Sequence, residues 1–167
     1  MSRFATGVSV VTTFDGDRPA GITVNALSSV SLDPALVMIA LDQSRFITPM
    51  VRESGRYAVN VLGDEQGSLS DCFAHAPASP GNPGREDFCG ARWHAGRTGL
   101  PLLDGAIATL ECTVVETFSA GDHDLFIGRV EALDTPDGPA DPLLFFRRHY
   151  VRVAPASASV VEGKQEG

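Results

Sequence analysis

Hydrophobic and polar positions alternate along most of this chain. Val8, Val10, Thr12 and Phe14 fall on one side of a two-residue period and Ser9, Val11 and Thr13 on the other, a β-branched run that suits a pleated surface. Asp15-Gly16-Asp17 is a turn cluster with glycine where positive φ is wanted, and the β pattern restarts over 20–26, so residues 8–26 predict a hairpin. Ser28–Leu32 continues extended until Asp33-Pro34 interrupts it. Leu36–Leu41 is short and wholly apolar, which at that length fits a buried strand better than a helix. Tyr57–Leu62 reads as another strand. Residues 107–133 read as a second hairpin: Ile107–Glu116 alternates, Leu125–Leu133 follows, and Ser119-Ala120-Gly121-Asp122 turns between them. Leu143–Phe146 is the last short strand.

Two segments change period. Phe46, Ile47, Met50 and Val51 recur at helical spacing, with Pro49 tolerable in a first turn and Gly55 placed to stop the helix. Leu69, Cys72 and Phe73 suggest a second short helix. Residues 75–90 are rich in Pro and Gly and predict a long surface loop. Six or seven short strands with a few short helices predict a mainly β protein, an antiparallel barrel over 1–153, followed by a disordered tail over 154–167. A doubly wound α/β fold is excluded, because helices do not separate the strands regularly and no GxGxxG follows a strand.

Charge narrows the function classes. Lys+Arg is 13 and Asp+Glu is 21, so the net charge is 13 − 21 = −8. Nucleic-acid binding through a positive field is not expected. The longest apolar stretch, Ala35–Leu41, falls far short of the roughly 20 residues of a spanning helix, so no membrane segment is expected. Cys72, Cys89 and Cys112 are odd in number and contain no CxxC pair, which argues against a disulfide framework and for a reducing, cytoplasmic setting. No HExxH, Walker A or GxSxG motif occurs. Cys72, His75, Cys89 and His94 match no zinc-ligand spacing, so no metal is expected.

Two segments carry unusual chemistry. Residues 22–34 mix β-branched residues with Thr23, Asn25, Ser28, Ser29 and Ser31. Such groups can hydrogen-bond a flat heteroaromatic ring, although on composition alone an edge strand with a Ser-rich exit is the better account. Gly121-Asp122-His123-Asp124 sets a histidine between two acids at a hairpin tip, where imidazole should hold its proton more readily, although an ordinary polar turn is the simpler account.

These segments, in this order, carry a resemblance. The chain resembles the flavin reductase-like family of short-chain flavin:NAD(P)H oxidoreductases on the FMN-binding split barrel. The matching pieces are FATGVSVVTT (4–13), GITVNALSSVSLDPALVMIAL (21–41), RESGRYAVNVL (52–62), Phe73-Ala74, GDHDLFIGRVEAL (121–133) and PLLFFRRHY (142–150). The resemblance implies a six- to seven-stranded antiparallel Greek-key split barrel. It also implies a homodimer binding FMN or FAD, with NADH or NADPH as co-substrate. In its terms Thr23, Val24, Asn25 and Ala26 lie along the isoalloxazine, Ser29 and Ser31 continue toward the ribityl chain, and Asp42, Gln43, Ser44 and Arg45 approach the phosphate. Phe73 and Ala74 match a pair near the flavin. His123 in the GDH motif stands near the nicotinamide, as the catalytic and substrate-binding residue, and Tyr150 ends a piece near the same pocket.

Two departures stand out. Family members often read Asp-x-Ser-Ser-x-Thr after the buried strand; here Arg45 replaces a small hydroxyl and Thr48 comes one position late, so Arg45 is expected to meet phosphate directly. Family chains usually carry about ten more residues before the FATGV piece. The implied function is hydride transfer from nicotinamide to flavin, with reduced flavin passed to a separate monooxygenase. The alternatives are a non-catalytic FMN-binding redox module and a flavin-dependent oxidase on the same barrel.

Overall fold

The computed structural model describes residues 2–75, 87–137 and 140–153. Its strands in chain order are β1 (Thr6–Gly7), β2 (Ser9–Asp15), β3 (Arg18–Val24), β4 (Leu27–Leu32), β5 (Ala35–Asp42), β6 (Arg56–Val61), β7 (Trp93–Ala95), β8 (Pro101–Leu103), β9 (Ala108–Ala120), β10 (His123–Asp134), β11 (Leu144–Phe146) and β12 (His149–Val151). Two α-helices, α1 (Ile47–Ser54) and α2 (Gly67–His75), are the longer helical pieces. The β2–β3 hairpin turns at Gly16, φ 61°. Helix α1 ends as its sequence requires: Gly55 adopts φ 64° and donates its amide to the Val51 carbonyl at 3.0 Å.

Seven strands form one antiparallel sheet in the order β3-β2-β6-β9-β10-β5-β4. Strands β3 and β4 are consecutive in the chain yet occupy opposite ends of that sheet. Ile22 and Val24 of β3 share one buried cluster with Val37, Ile39 and Leu41 of β5, together with Val11, Tyr57, Val59, Cys112 and Phe126, and Leu27 of β4 packs against it. The sheet therefore curls around a common core and stays unpaired along the β3/β4 seam, which is a split barrel. Ile47 and Val51 on the apolar face of α1 enter the same core. A second cluster joins Val8, Val10, Leu62, Leu103 and Leu143 to Phe73 of α2 and Phe88.

Several sequence expectations need correction. The β9–β10 hairpin runs further than its hydrophobic alternation suggests, so His123 opens a strand directly after a Gly121-Asp122 turn. The last strand has an unforeseen partner, β12. Part of the expected 75–90 loop is ordered by packing: Phe88 is buried edge-on against Phe73, ring centroids 5.0 Å apart, and residues 88–90 form a helical turn. That contact sets Cys89 beside Cys72 on α2, and the two are joined in a disulfide, Cα–Cα 6.0 Å. The expectation that argued against disulfides is thus corrected, because a 17-residue separation in sequence does not encode the Phe88–Phe73 packing that accompanies the pairing. Cys112 is the free thiol, and burial pushes its pKa up to about 12. Residues 76–86 and the expected tail over 154–167 lie outside the described residues. Among the described residues no helix is long and apolar enough to cross a membrane, and no cluster of ligating side chains suits a metal ion.

Candidate active site

The seam between β3 and β4 opens into a cavity of about 260 Å³. Strand β3 and its exit supply Ile22, Thr23, Val24, Asn25 and Ala26; β5 and its exit supply Ala40, Leu41, Asp42 and Arg45; α2 supplies Ala74 and β10 supplies His123. A second, more apolar cavity of about 180 Å³ adjoins it, sharing Thr23, Val24, Asn25 and Ala74 and adding Val8, Ser70, Phe145 and Tyr150. Topology makes this possible. Strand β3 pairs with β2 on one side, and among the described residues it has no strand partner on the other, so one row of its backbone groups faces the seam. An unsatisfied row of amides and carbonyls bordered by apolar walls suits the edge of a polar heteroaromatic ring. The residues present therefore fit a flavin.

His123 is positioned by its place in the hairpin. It stands opposite Asp42 of β5 in the sheet register, and its Nδ1 lies 2.7 Å from Asp122 Oδ1. That contact, a second one from Asp122's backbone and the imidazole charge lower the Asp122 pKa; Ser44 donates to Asp42 through its hydroxyl at 2.7 Å and its amide at 2.8 Å and likewise lowers that carboxyl. Both carboxylates are thus negative at neutral pH beside the cavity mouth. With Nδ1 engaged, Nε2 is the ring nitrogen left for a ligand.

The second acid beside His123 does something else. Strand alternation turns Asp124 to the opposite face, where it is buried and accepts from Ser119 Oγ at 2.8 Å, Gln43 Nε2 at 3.1 Å and the Arg52 guanidinium. Arg52 also lies over the Phe126 ring, 6.0 Å from its centroid. Gln43 further ties the loop after β5 to the turn before β10, its backbone amide donating to the Asp122 carbonyl at 2.9 Å. Burial pushes the Asp124 carboxyl up, but the Ser119, Gln43 and Arg52 donors and the Arg52 charge outweigh it and hold the pKa low. A lowered native pKa contributes stability above the unfolded value, roughly 3.9, and that contribution is lost as pH falls through the native value. Asp124→Asn is expected to cost about 2 kcal/mol at neutral pH, discounted for the half-exposed arginine. In thermal melts the gap from wild type should close below about pH 4.

Of the residues expected at the site, Thr23, Val24, Asn25, Ala26, Asp42, Arg45, Ala74 and His123 converge on the larger cavity, and Tyr150 lines the smaller. The others lie elsewhere. Ser29 and Ser31 sit on β4 and line neither cavity. The side chains of Gln43 and Ser44 are bonded to Asp124 and Asp42. Phe73 is buried in the core below the cavity wall, in space that Gly21 leaves: a Cβ there would stand 2.8 Å from the phenylalanine ring. Thr48 is buried and donates to the Asp42 carbonyl at 2.7 Å, whereas Arg45, like Asp42, lines the cavity. Ser70 was not foreseen. Its carbonyl accepts from Thr23 Oγ1 at 2.7 Å and its hydroxyl from Tyr150 Oη at 2.8 Å, so it links three walls. The available signal was its i, i+3 spacing from Phe73 on one helix face.

Comparison with known proteins agrees with this geometry. The sequence profile of the flavin reductase like domain matches residues 1–154. An NADH-dependent flavin reductase from Rhodococcus sp is 42% identical over 149 residues, covering 87% of this chain and 78% of the relative. An NADH-dependent FMN reductase from Streptomyces nodosus subsp. asukaensis is 39% identical over 150 residues, covering 90% and 80%. The solved styrene monooxygenase flavin reductase from Pseudomonas putida S12 superposes with a TM-score of 0.80 at 35% identity, covering 93% of this chain and 96% of that one.

Proposed function

This chain belongs to the flavin reductase like family, and we propose that it transfers hydride from NADH to FMN or FAD. The observation that carries this reading is the pair of cavities with a common wall of Thr23–Asn25 and Ala74, which lets two flat rings meet. Bound flavin supplies the hydride acceptor. The chain's part is binding and alignment, since donor and acceptor atoms must approach to roughly 3–3.5 Å. The free edge of β3 hydrogen-bonds the flavin ring while Ile22, Ala40 and Leu41 contact it, and Arg45 meets the phosphate. His123, held through Nδ1 by Asp122, offers Nε2 to the nicotinamide carboxamide. Tyr150 closes the donor side, its hydroxyl held by Ser70 and by Asp71 Oδ1 at 2.9 Å.

The protein is further read as a cytoplasmic homodimer that hands reduced flavin to a separate monooxygenase. A relative named as a styrene monooxygenase flavin reductase supports the second half. Exposed Val30 and Leu32 on β4 and Val115 and Phe118 on β9 offer apolar surface to a second copy, which sedimentation reads directly.

Anaerobic stopped-flow with excess FMN or FAD tests the central reading. Bleaching after NADH should far exceed the protein-free rate and slow about 10- to 100-fold in His123→Ala. NADPH serves as the comparison donor. Bleaching no faster than the protein-free control with every pair would sink the reading and return the protein to a flavin-binding module or an oxidase.

A further inference from the structure

The turn between β11 and β12 has an unusual composition. Phe146 pairs with His149, so Arg147 and Arg148 form a two-residue hairpin loop, and both are left-handed, with φ 51° and 66°. Such a turn strongly favours Asn-Gly, because an L side chain in that region is strained. Arginine supplies neither glycine's freedom nor asparagine's local hydrogen bond. Strain at adjacent positions points to a role for the side chains themselves.

The surroundings indicate which role. One register step back from the turn-closing pair is the Phe145–Tyr150 pair, and both of those residues line the smaller cavity. The turn thus begins roughly 7 Å along the strands from that cavity's wall. The Arg147 amide donates to the Ser2 carbonyl at 2.7 Å, and Arg3 is the next residue of that segment. Three of the chain's 13 basic residues therefore gather here, in a protein of net charge −8. Of the carboxylates on this side, Asp71 accepts from Tyr150 Oη at 2.9 Å and Asp64 pairs with Arg152 at 3.1 Å. The mouth of the larger cavity has the opposite character, with Asp42 and Asp122 both held ionised beside Arg45 and His123. A dinucleotide with its nicotinamide in the smaller cavity must lead its diphosphate out through one mouth or the other. Electrostatics favours the arginine turn.

We propose that the Arg147-Arg148 turn is the grip for the diphosphate of the dinucleotide donor. The inference rests on the flavin reductase reading and adds to it the route the donor takes. Arg147 also lies over the Phe146 ring, 5.3 Å from its centroid, which limits the guanidinium's freedom before a ligand arrives.

The test replaces the turn by the residues its backbone prefers, Arg147→Asn with Arg148→Gly, so that lost cations are not confused with lost folding. Steady-state flavin reduction is measured with NADH and with N-benzyl-1,4-dihydronicotinamide, which carries the same reacting ring and no phosphate. The melting temperature of the double variant should hold or rise. Its kcat/KM for NADH should fall about tenfold relative to that for the benzyl donor, mostly through KM. Added salt should weaken NADH use in the wild type and have much less effect in the variant. An unchanged NADH-to-benzyl ratio, or an equal fall for both donors, would overturn the proposal, the latter by showing that the hairpin only shapes the cavity. A wild-type protein that NADH does not drive would instead bring down the reductase reading beneath it, so the two failures are told apart by the wild-type control.

Discussion

Gly128→Ala is expected to destabilise the fold by about 3 kcal/mol or more, a large share of the 5–15 kcal/mol that a typical domain has in hand. Gly128 lies in β10 where the pairing with β9 shifts register, Ile127 facing Glu116 and Gly128 facing Val114, so the extra residue, Val115, is on β9. A Cβ there would overlap the Tyr57 hydroxyl, stand 2.7 Å from Tyr57 Cζ and 2.9 Å from Cys112 Cβ. None of these can move cheaply, because Tyr57 is wholly buried and Cys112 nearly so. The two groups sit together as neutral species: burial raises the tyrosine pKa far above its ordinary value and raises the thiol as well. Denaturant titration should show the loss directly. Tyr57→Phe removes the overlapping oxygen, so Tyr57→Phe with Gly128→Ala should recover part of it in a double-mutant cycle. Strict additivity of the two substitutions would refute the close-approach explanation.

Gly128 also marks the limit of what periodicity reveals. Alternation in 8–26, 57–62 and 107–133 was enough for strands and hairpins, because a two-residue period and a turn cluster are local properties. A glycine inside such a strand signals a bulge or a close approach, yet its partner, Tyr57, lies 71 positions away in sequence. The disulfide was hidden for the same reason: Phe88 packing on Phe73 pairs Cys72 with Cys89, and no spacing encodes that packing. The site was legible in part. Residue types in 22–34 and 121–124 suggested polar recognition, but the resemblance to a known family, rather than composition, turned that suggestion into a flavin site. Their convergence follows from β3 and β4 being opposite ends of one curled sheet, a fact of topology. For Gln43 and Ser44, expected in the segment that approaches the phosphate, the structure adds the side-chain partners Asp124 and Asp42, since sequence shows a donor and not its partner.

The largest functional effect is expected from Ala74→Phe. Ala74 is the residue of α2 that lines both cavities, together with the end of β3, so on the proposed reading it stands where donor and acceptor rings would meet. A phenyl ring there would fill the shared space from the helix side. The fold should tolerate it: Ala74 is only half-buried, and the helix-propensity loss is less than about 0.7 kcal/mol. Its neighbour Phe73 carries the packing, buried against Phe88 in the second core cluster and left unchanged by the substitution. The pair that looks like one flavin-side motif in sequence is therefore divided in structure, with Phe73 fixing the helix and Ala74 leaving room. Misplacing reacting atoms by an ångström can cost about 100-fold, so kcat/KM should fall by at least that factor while the melting temperature moves by a few degrees. Quenching of flavin fluorescence by the protein should weaken in parallel. Turnover within threefold of wild type in a well-folded Ala74→Phe protein would mean that the two rings do not meet at this wall.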